Sequence, residues 1–149
     1  MSTNSSTDPL GGMRFTIQID SIVNGRFLEC SSPTVTTTVK DYFEGGQPNY
    51  VYRYPVSTSY NNITLKYGTH LGHEMFDWYM GTVNGLPTRK DISIFLYDTE
   101  GNVIRTWILK DAYPVKWVGP ALKADGREIA VETLEIAYSA IRLEVNSAV

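Results

Sequence analysis

The sequence predicts a mainly β fold, built from antiparallel strands with one α-helix. Three observations support this: several segments alternate apolar and polar residues with period 2, turn-forming residues separate them, and one segment has helical spacing. With 149 residues and 42% hydrophobic content, the chain is long enough for one domain with its own core. We expect residues 1–12, which are small and polar, to form a flexible N-terminal arm, and residues 13–149 to form a single domain.

The first half of the domain has strand patterns. Residues 15–20 alternate apolar and polar side chains, which predicts a half-buried strand. Residues 35–40 are rich in β-branched side chains that suit a pleated surface, and the Glu-Gly-Gly-Gln-Pro-Asn stretch at 44–49 predicts a loop after them. The patterns at 50–54 and 63–67 then predict a returning strand or a pair of strands.

One segment changes to a helical period. Leu71, Met75 and Trp78 share a face, Thr69 is a suitable N-cap, and the Asn-Gly-Leu-Pro stretch at 84–87 provides a stop. We predict one helix of about three to four turns, packed against one side of a β framework.

The second half returns to strand patterns. Residues 92–109 predict a β-hairpin with its loop at 98–102. Apolar residues then occupy odd positions up to Val131 and even positions from Leu134, which predicts a bulge or a sharply coiled strand near Thr133.

Charge and cysteine content exclude several functional classes. The net charge is −3 and the basic residues are scattered, so the sequence has no basic patch that would bind the phosphate backbone of a nucleic acid tightly. Cys30 is the only cysteine, which excludes an intrachain disulfide. No apolar stretch is long enough to span a bilayer and no leader pattern opens the chain. We therefore expect a protein that is soluble in the cytoplasm until it is exported or released.

Candidate chemical sites are weak. His73 and Asp77, at i and i+4 beside His70 and Glu74, could clamp a metal, but acidic residues also favour a helix N-terminus. The acidic loop at 98–102 superficially resembles a calcium loop and is better interpreted as a turn. No phosphate-binding loop and no nucleophile elbow occur. We expect no catalytic residues, no cofactor and no metal.

The tyrosines leave a second interpretation open. Stacked tyrosines can bind sugars or bases, whereas core packing and subunit contact are their commoner uses. These tyrosines therefore leave open, as an alternative function, a β-sandwich module that binds a glycan or a peptide. The tyrosines concerned flank the second strand region, at Tyr50, Tyr52, Tyr54, Tyr60 and Tyr67.

Several short motifs occur in a collinear order. They are Glu-Gly-Gly at 44–46, Asn-Ile-Thr-Leu-Lys at 62–66 followed by Gly68, Arg-Lys-Asp at 89–91, and Ala-Tyr-Pro-Val-Lys-Trp at 112–117. In this order the chain resembles the tail tube proteins of contractile phages and related contractile injection particles. The resemblance covers most of residues 13–140 and implies an architectural protein, not an enzyme.

The resemblance implies an antiparallel β-sandwich or small β-barrel with one flanking helix, assembling as a hexameric ring with a continuous inner β-barrel. Rings would stack into a tube that conducts DNA or effector proteins. Other expected partners are a sheath protein, baseplate proteins and tube-terminating proteins, with no membrane, in a particle that is finally released. The implied wall strands lie at about residues 27–40, 50–67, 103–118 and 128–140.

The same resemblance implies two sets of site residues. Subunit and ring-stacking contacts are expected at Leu10, Glu44, Gly45, Gly46, Tyr50, Tyr52, Tyr54, Val131 and Leu134. Strand alternation then separates a polar face from a core face. Candidates for a polar lumen are Thr36, Thr38, Lys40, Thr64 and Lys66, and the residues expected on the subunit core are Val35, Val39, Ile63 and Leu65.

Overall fold

The computed structural model describes residues 14–20, 23–25, 27–43, 45–46, 50–69, 72–126 and 130–145. In these ranges the chain forms one α-helix, α1 (Gly72–Val83), and strands on both sides of it in sequence. The strands are β1 (Arg14–Ile19), β2 (Val23–Gly25), β3 (Glu29–Cys30), β4 (Val35–Tyr42), β5 (Tyr52–Tyr60), β6 (Ile63–Gly68), β7 (Lys90–Tyr97), β8 (Val103–Val118), β9 (Val131–Ala137) and β10 (Ala140–Val145). The prediction of a mainly β, antiparallel fold with one helix is confirmed.

The strands form one sheet that folds over itself. Its order is β2-β1-β7-β8-β9-β6-β3, with β10 also paired to β8, while β4 and β5 pair only with each other among the described residues. We call β2, β1, β7, β10 and residues 103–112 of β8 the first sheet, and residues 113–118 of β8 with β9, β6 and β3 the second sheet. One apolar core takes side chains from both, so the two sheets face each other. The core includes Ile17, Ile19, Ile92, Ile94 and Leu109 from the first sheet and Ile63, Leu65, Leu134 and Ile136 from the second.

Strand β8 belongs to both sheets because its residues 105–110 pair with β10 and its residues 113–118 pair with β9. Lys110 lies opposite Ala140 and Tyr113 lies opposite Ala137, so the register is the same on both sides of the change of sheet. At the change, Asp111 has a φ of 54°, in the left-handed region that aspartate tolerates better than most residues.

The bend at Asp111 is held by a neighbouring carboxylate. Asp91 on β7 accepts a hydrogen bond from Lys110 Nζ at 3.1 Å and another from the Asp111 backbone N–H at 3.2 Å. The bond from Lys110 and then the Asp111 N–H lower the pKa of Asp91 below its usual value. The ionised carboxylate is therefore the form that stabilises this bend.

The bulge predicted near Thr133 is wrong. Strand β9 pairs with β6 without a break, and the register shift lies across from it on β8, between Pro114 and Lys116. The apparent change of phase arose because Glu132, a polar residue, occupies a buried core position in line with Leu134. Buried positions on β9 are therefore even-numbered from its start.

The helix prediction is confirmed in position and in its stop. Leu86 N–H donates to Gly81 O at 2.9 Å and Gly85 N–H donates to Thr82 O at 3.1 Å, with Gly85 at φ 81°, which is a Schellman cap. Thr69 lies three residues before the first helical residue and so is not adjacent to the helix start. Met75 and Trp78 are buried against the sheet. No helix of the described residues is long and apolar enough to cross a membrane.

Candidate assembly surface

Strands β3 to β6 form a single long hairpin. Cys30 pairs with Leu65 and Val35 pairs with Tyr60, in the same register, although residues 31–34 are not assigned to a strand. Two backbone hydrogen bonds bridge the interval, from Ser31 N–H to Thr64 O and from Asn61 N–H to Thr34 O, both at 3.0 Å. We call β3 and β6 the base of the hairpin, and β4 and β5 its arm.

The arm is solvent-exposed on both faces. Every residue of β4 is exposed, and so is every residue of β5 except Tyr60, whereas Ile63, Leu65 and Tyr67 in the base are fully buried. Most of the exposed large apolar side chains among the described residues lie in the arm or in the connection between its two strands. They are Val35, Val39, Tyr42, Phe43, Tyr50, Val51, Tyr52, Tyr54 and Val56. A concentration of apolar surface of this kind marks an interaction site.

Tyrosines form a cluster at the outer end of the arm. Tyr52 contacts Tyr50 edge-on at 5.3 Å between ring centroids and stacks with Tyr54 at 6.4 Å, and Tyr54 contacts Tyr42 at 6.3 Å. The Tyr50 and Tyr52 hydroxyls are 3.3 Å apart. The predicted stacking residues include Tyr50, Tyr52 and Tyr54 but not Tyr42; the aromatic pair at 42–43, shortly before a Gly-Gly loop, is the sequence signal for it.

Other predicted stacking residues lie at the tip of the same arm. Gly46 has a φ of 95°, a conformation that favours glycine, and open space surrounds both Gly45 and Gly46. Glu44 and Leu10 lie outside the described residues. The two glycines form part of the turn between β4 and β5.

One of the two predicted contacts on β9 is corrected by the structure. Leu134 is fully buried in the subunit's own core, so it is not available as a subunit contact. Val131, the first residue of β9, pairs with Gly68 of β6, and its place in a subunit contact stays a prediction. The edges of the second sheet are β3 on one side and residues 113–118 of β8 on the other, where Val118 is exposed.

The arm has two faces, and one of them carries the first three lumen candidates. Thr36, Thr38 and Lys40 share the face opposite Val35 and Val39. Val35 and Val39 are 46% and 42% exposed, so the prediction that they pack on the subunit core is wrong. The reason is that no other element of the described chain covers the arm.

Thr64 and Lys66 lie in the base, on the side of the second sheet that faces away from the core. Both are only half-buried, whereas Ile63 and Leu65 between them are fully buried as predicted. Charges on this face are paired with neighbours. Lys66 Nζ lies 3.5 Å from a carboxylate oxygen of Glu29, and Asn62 donates to Glu135 at 3.2 Å.

The weak candidates for chemistry have structural partners. His73 Nδ1 and Asp77 Oδ2 lie 3.1 Å apart on the exposed side of α1, and no group of three metal-ligating side chains occurs in the described ranges. Asp98 accepts hydrogen bonds from the backbone N–H groups of Asn102 and Glu100, which lowers its pKa and closes the turn between β7 and β8.

The thiol of Cys30 is unsuited to nucleophilic chemistry. Burial raises its pKa to about 11, and it donates to Ser31 O at 3.4 Å. The neutral thiol is therefore the form present near neutral pH.

Comparison with known proteins identifies the fold and the family. The chain is similar to a chain of the sheath-tube complex of the extracellular contractile injection system PVC, with a TM-score of 0.78 and 24% identity over 97% of this chain and 100% of that chain. It is also similar to a chain of the anti-feeding prophage tube-terminating cap, with a TM-score of 0.75 and 24% identity over 89% of both chains. Hcp1 from Flavobacterium johnsoniae gives a TM-score of 0.61 and 16% identity over 89% of this chain and 96% of that chain.

No individual curated protein sequence matches. The model of one protein family does match, however, over residues 11–142, and its description is T4-like virus tail tube protein gp19. The match spans the long hairpin, the helix and both sheets. This protein therefore belongs to the T4-like virus tail tube protein family.

Proposed function

We propose that this chain is the structural subunit of the inner tube of a contractile phage tail or phage-tail-like injection particle. Six copies form a ring, rings stack into a tube, and the tube conducts DNA or effector proteins. The observation that carries this proposal is that, among the described residues, the second sheet ends in two open edges and extends into an arm that no other element covers.

The two open edges suit a head-to-tail ring. The second sheet has the order β3, β6, β9 and β8, and each neighbouring pair is antiparallel. The first and last strands therefore run in opposite directions. A copy placed beside another can pair its β3 with its neighbour's residues 113–118 in the same antiparallel pattern, and a closed ring leaves no free edge.

The arm suits contact with a neighbouring ring. Its strands continue the register of the base beyond the body of the subunit, and its outer end carries Tyr42, Tyr50, Tyr52 and Tyr54. Tyrosine offers a large contact area at a small cost in side-chain entropy. We assign ring stacking to this cluster, to Gly45 and Gly46, and to Glu44 and Leu10.

The lumen would be lined by the outward face of the second sheet and one face of the arm. Thr36, Thr38 and Thr64 supply hydroxyl groups there, and Lys66 has Glu29 as a partner of opposite charge. A polar surface with locally paired charges holds cargo weakly, as a conduit requires. Lys40 is the charged lumen candidate on the arm.

The role is structural and not enzymatic, and the alternative of a glycan-binding or peptide-binding module is not favoured by the family match. Solved relatives occur in a sheath-tube complex, a baseplate and a terminating cap. We therefore expect sheath, baseplate and cap proteins as partners of this tube, assembly in the cytoplasm, and release as part of an extracellular particle.

Electron microscopy of edge variants tests the ring. Val118→Glu places a charge on the β8 edge, and Val39→Glu places one on β4 at the opposite side. Leu86→Glu is the matched control, because Leu86 is 77% exposed in the loop between α1 and β7 and belongs to neither edge strand. We expect the wild type and Leu86→Glu to form rings or tubes when baseplate components are supplied, and both edge variants to stay monomeric. Wild-type protein that remains monomeric under these conditions, or edge variants that assemble normally, would contradict the proposal.

A further inference from the structure

One row of residues crosses the whole second sheet. Cys30 lies opposite Leu65, and Leu65 lies opposite Leu134. Trp117 lies opposite Leu134 on its other side. The ends of the row, Cys30 and Trp117, lie on the two edges that are open among the described residues. In a ring whose strands ran parallel to its axis, Trp117 of one copy would therefore meet Cys30 of the next copy.

A closed barrel does not have this arrangement, because its strands tilt. The tilt from the barrel axis is about 35–45° in small and in large barrels. Each copy contributes β3, β6, β9 and β8 to the wall, and at a spacing of about 4.8 Å these strands make the row about 19 Å wide. Neighbouring copies are then offset along the strands by about 13–19 Å, or about four to six residues.

The offset has only one direction available along the edge that contains Cys30. On one side the edge ends, because β3 begins at Glu29 and the strand before it, β2, belongs to the first sheet. On the other side the edge continues through residues 31–34 into β4 without a change of register. An offset of about four to six residues from Cys30 reaches residues 34–36.

Backbone direction selects one residue in this range. Asn61 N–H donates to Thr34 O, so the backbone groups of Thr34 point to β5. Successive residues of an antiparallel strand direct their N–H and C=O groups alternately to the two sides. Val35 therefore points to the open edge, and Thr36 points back to β5.

The same alternation fixes the direction of Trp117. Thr64 accepts from Ser31 N–H, so its backbone groups point to β3. Odd-numbered residues of β6 then bond even-numbered residues of β9, and odd-numbered residues of β9 bond β8. Val118, opposite Thr133, is thus bonded to β9. Its neighbour Trp117 directs its N–H and C=O groups to the open edge.

We propose that Trp117 of one copy pairs with Val35 of the next copy, in an antiparallel joint between β8 and the start of β4. This inference rests on the proposed ring, and it moves the joint from β3 along the same edge to β4. Both residues direct an N–H and a C=O to the joint, so they exchange two hydrogen bonds. The same register places Val118 opposite Thr34. The start of the arm becomes an internal strand of the tube wall, and its tyrosine end stays available for ring stacking.

Cysteine pairs across the joint test this register, in a Cys30→Ser background that removes the native thiol. Thr34→Cys with Val118→Cys places two exposed side chains opposite each other, at a Cα separation of about 4.5 Å that suits a disulfide. Glu29→Cys with Val118→Cys is the matched control, because Glu29 is the residue that would face Val118 in a ring without the offset. We expect oxidised tubes of the first variant to give a ladder of linked subunits in non-reducing electrophoresis, and the control to give monomers.

The outcomes separate the register from the ring itself. Linkage in the control variant, or in neither variant when both form tubes, overturns the register and leaves the ring standing. Wild-type protein that forms no tubes contradicts the proposed function instead. If a cysteine variant does not fold or assemble, an electron cryomicroscopy map of the wild-type tube decides, because it shows which residue of the next copy lies opposite Trp117.

Discussion

The base and the arm of the long hairpin share one register but have opposite environments. In the base, Ile63 and Leu65 are fully buried between the two sheets, while in the arm Val35 and Val39 are exposed on a pair of strands that no other described element covers. Both parts have the β-branched and apolar residues that strands favour. Local sequence pattern therefore determines strand formation, whereas burial depends on which other element lies above the strand.

The base and the arm should also contribute to different properties, the base to the stability of the folded subunit and the arm to its assembly. A side chain in the base stabilises the folded subunit, and one in the arm contributes little until a second copy arrives. Substitutions in the base should therefore change the stability of the subunit, substitutions in the arm should change its assembly, and paired variants test this distinction.

The largest expected effect is in the base. Leu65→Ala leaves a cavity in the core and should lower the free energy of unfolding by about 2–5 kcal/mol. Val39→Ala in the arm should change it by less than about 1 kcal/mol, because Val39 is already exposed. Urea denaturation of the monomeric protein measures both. Similar losses in the two variants would mean that the arm is packed in the isolated subunit.

The next effect concerns the tyrosine cluster of the arm. Tyr54→Ala should weaken ring stacking more than tenfold, since aromatic residues at interfaces often contribute about 2 kcal/mol or more, and should leave the unfolding of the monomer unchanged. Sedimentation of assembled tubes measures the first quantity and thermal unfolding the second. Tyr54→Phe keeps the ring and is expected to assemble. Normal tube formation by the alanine variant would exclude Tyr54 from the stacking surface.

A glycine pair extends the comparison to the backbone. Gly119→Ala forces a Cβ atom against the Trp117 ring at 2.9 Å and should cost about 1–3 kcal/mol of unfolding free energy. Gly45→Ala in the arm meets open space and should stay within about 0.5 kcal/mol. Equal stability of the two variants in chemical denaturation would show that the Trp117 ring moves aside easily.

The smallest effect is a pH dependence at the bend of β8. The lowered pKa of Asp91 means that its carboxylate stabilises the fold above the unfolded-state pKa of about 4, and that this contribution is lost as the pH falls through the folded-state pKa. Asp91→Asn should therefore be slightly less stable than the wild type at neutral pH, with the difference shrinking in acid. Melting curves across this pH range check the prediction; a constant difference would contradict it.

Much of the fold could be predicted because local chemistry controls it. The alternation of apolar and polar residues predicts β1, and the Asn-Gly pair at 84–85 predicts the end of α1, where the structure has a Schellman cap. The bulge at Thr133 was predicted wrongly because Glu132 is a polar residue in a core position. A pattern of apolar and polar residues cannot predict that a carboxylate is buried in the core.

The candidate site was less predictable because it depends on strand order. Leu134 and Val118 are both apolar residues of predicted strands, yet Leu134 is in the central strand β9 and Val118 is at the open edge of β8. Long-range pairing decides which strand is an edge, and no local pattern contains that information. The arm was located correctly by its Gly-Gly loop and tyrosines, but its lack of cover was not foreseen.

The passage of β8 through both sheets has a mechanical consequence. Because β8 runs from the first sheet into the second as one continuous strand, tension on residues 113–118 passes through covalent backbone into the interior of the subunit. The ladder hydrogen bonds on both sides of Asp111 would then be loaded in shear. A force applied to this edge of the second sheet would therefore act directly on the core of the subunit.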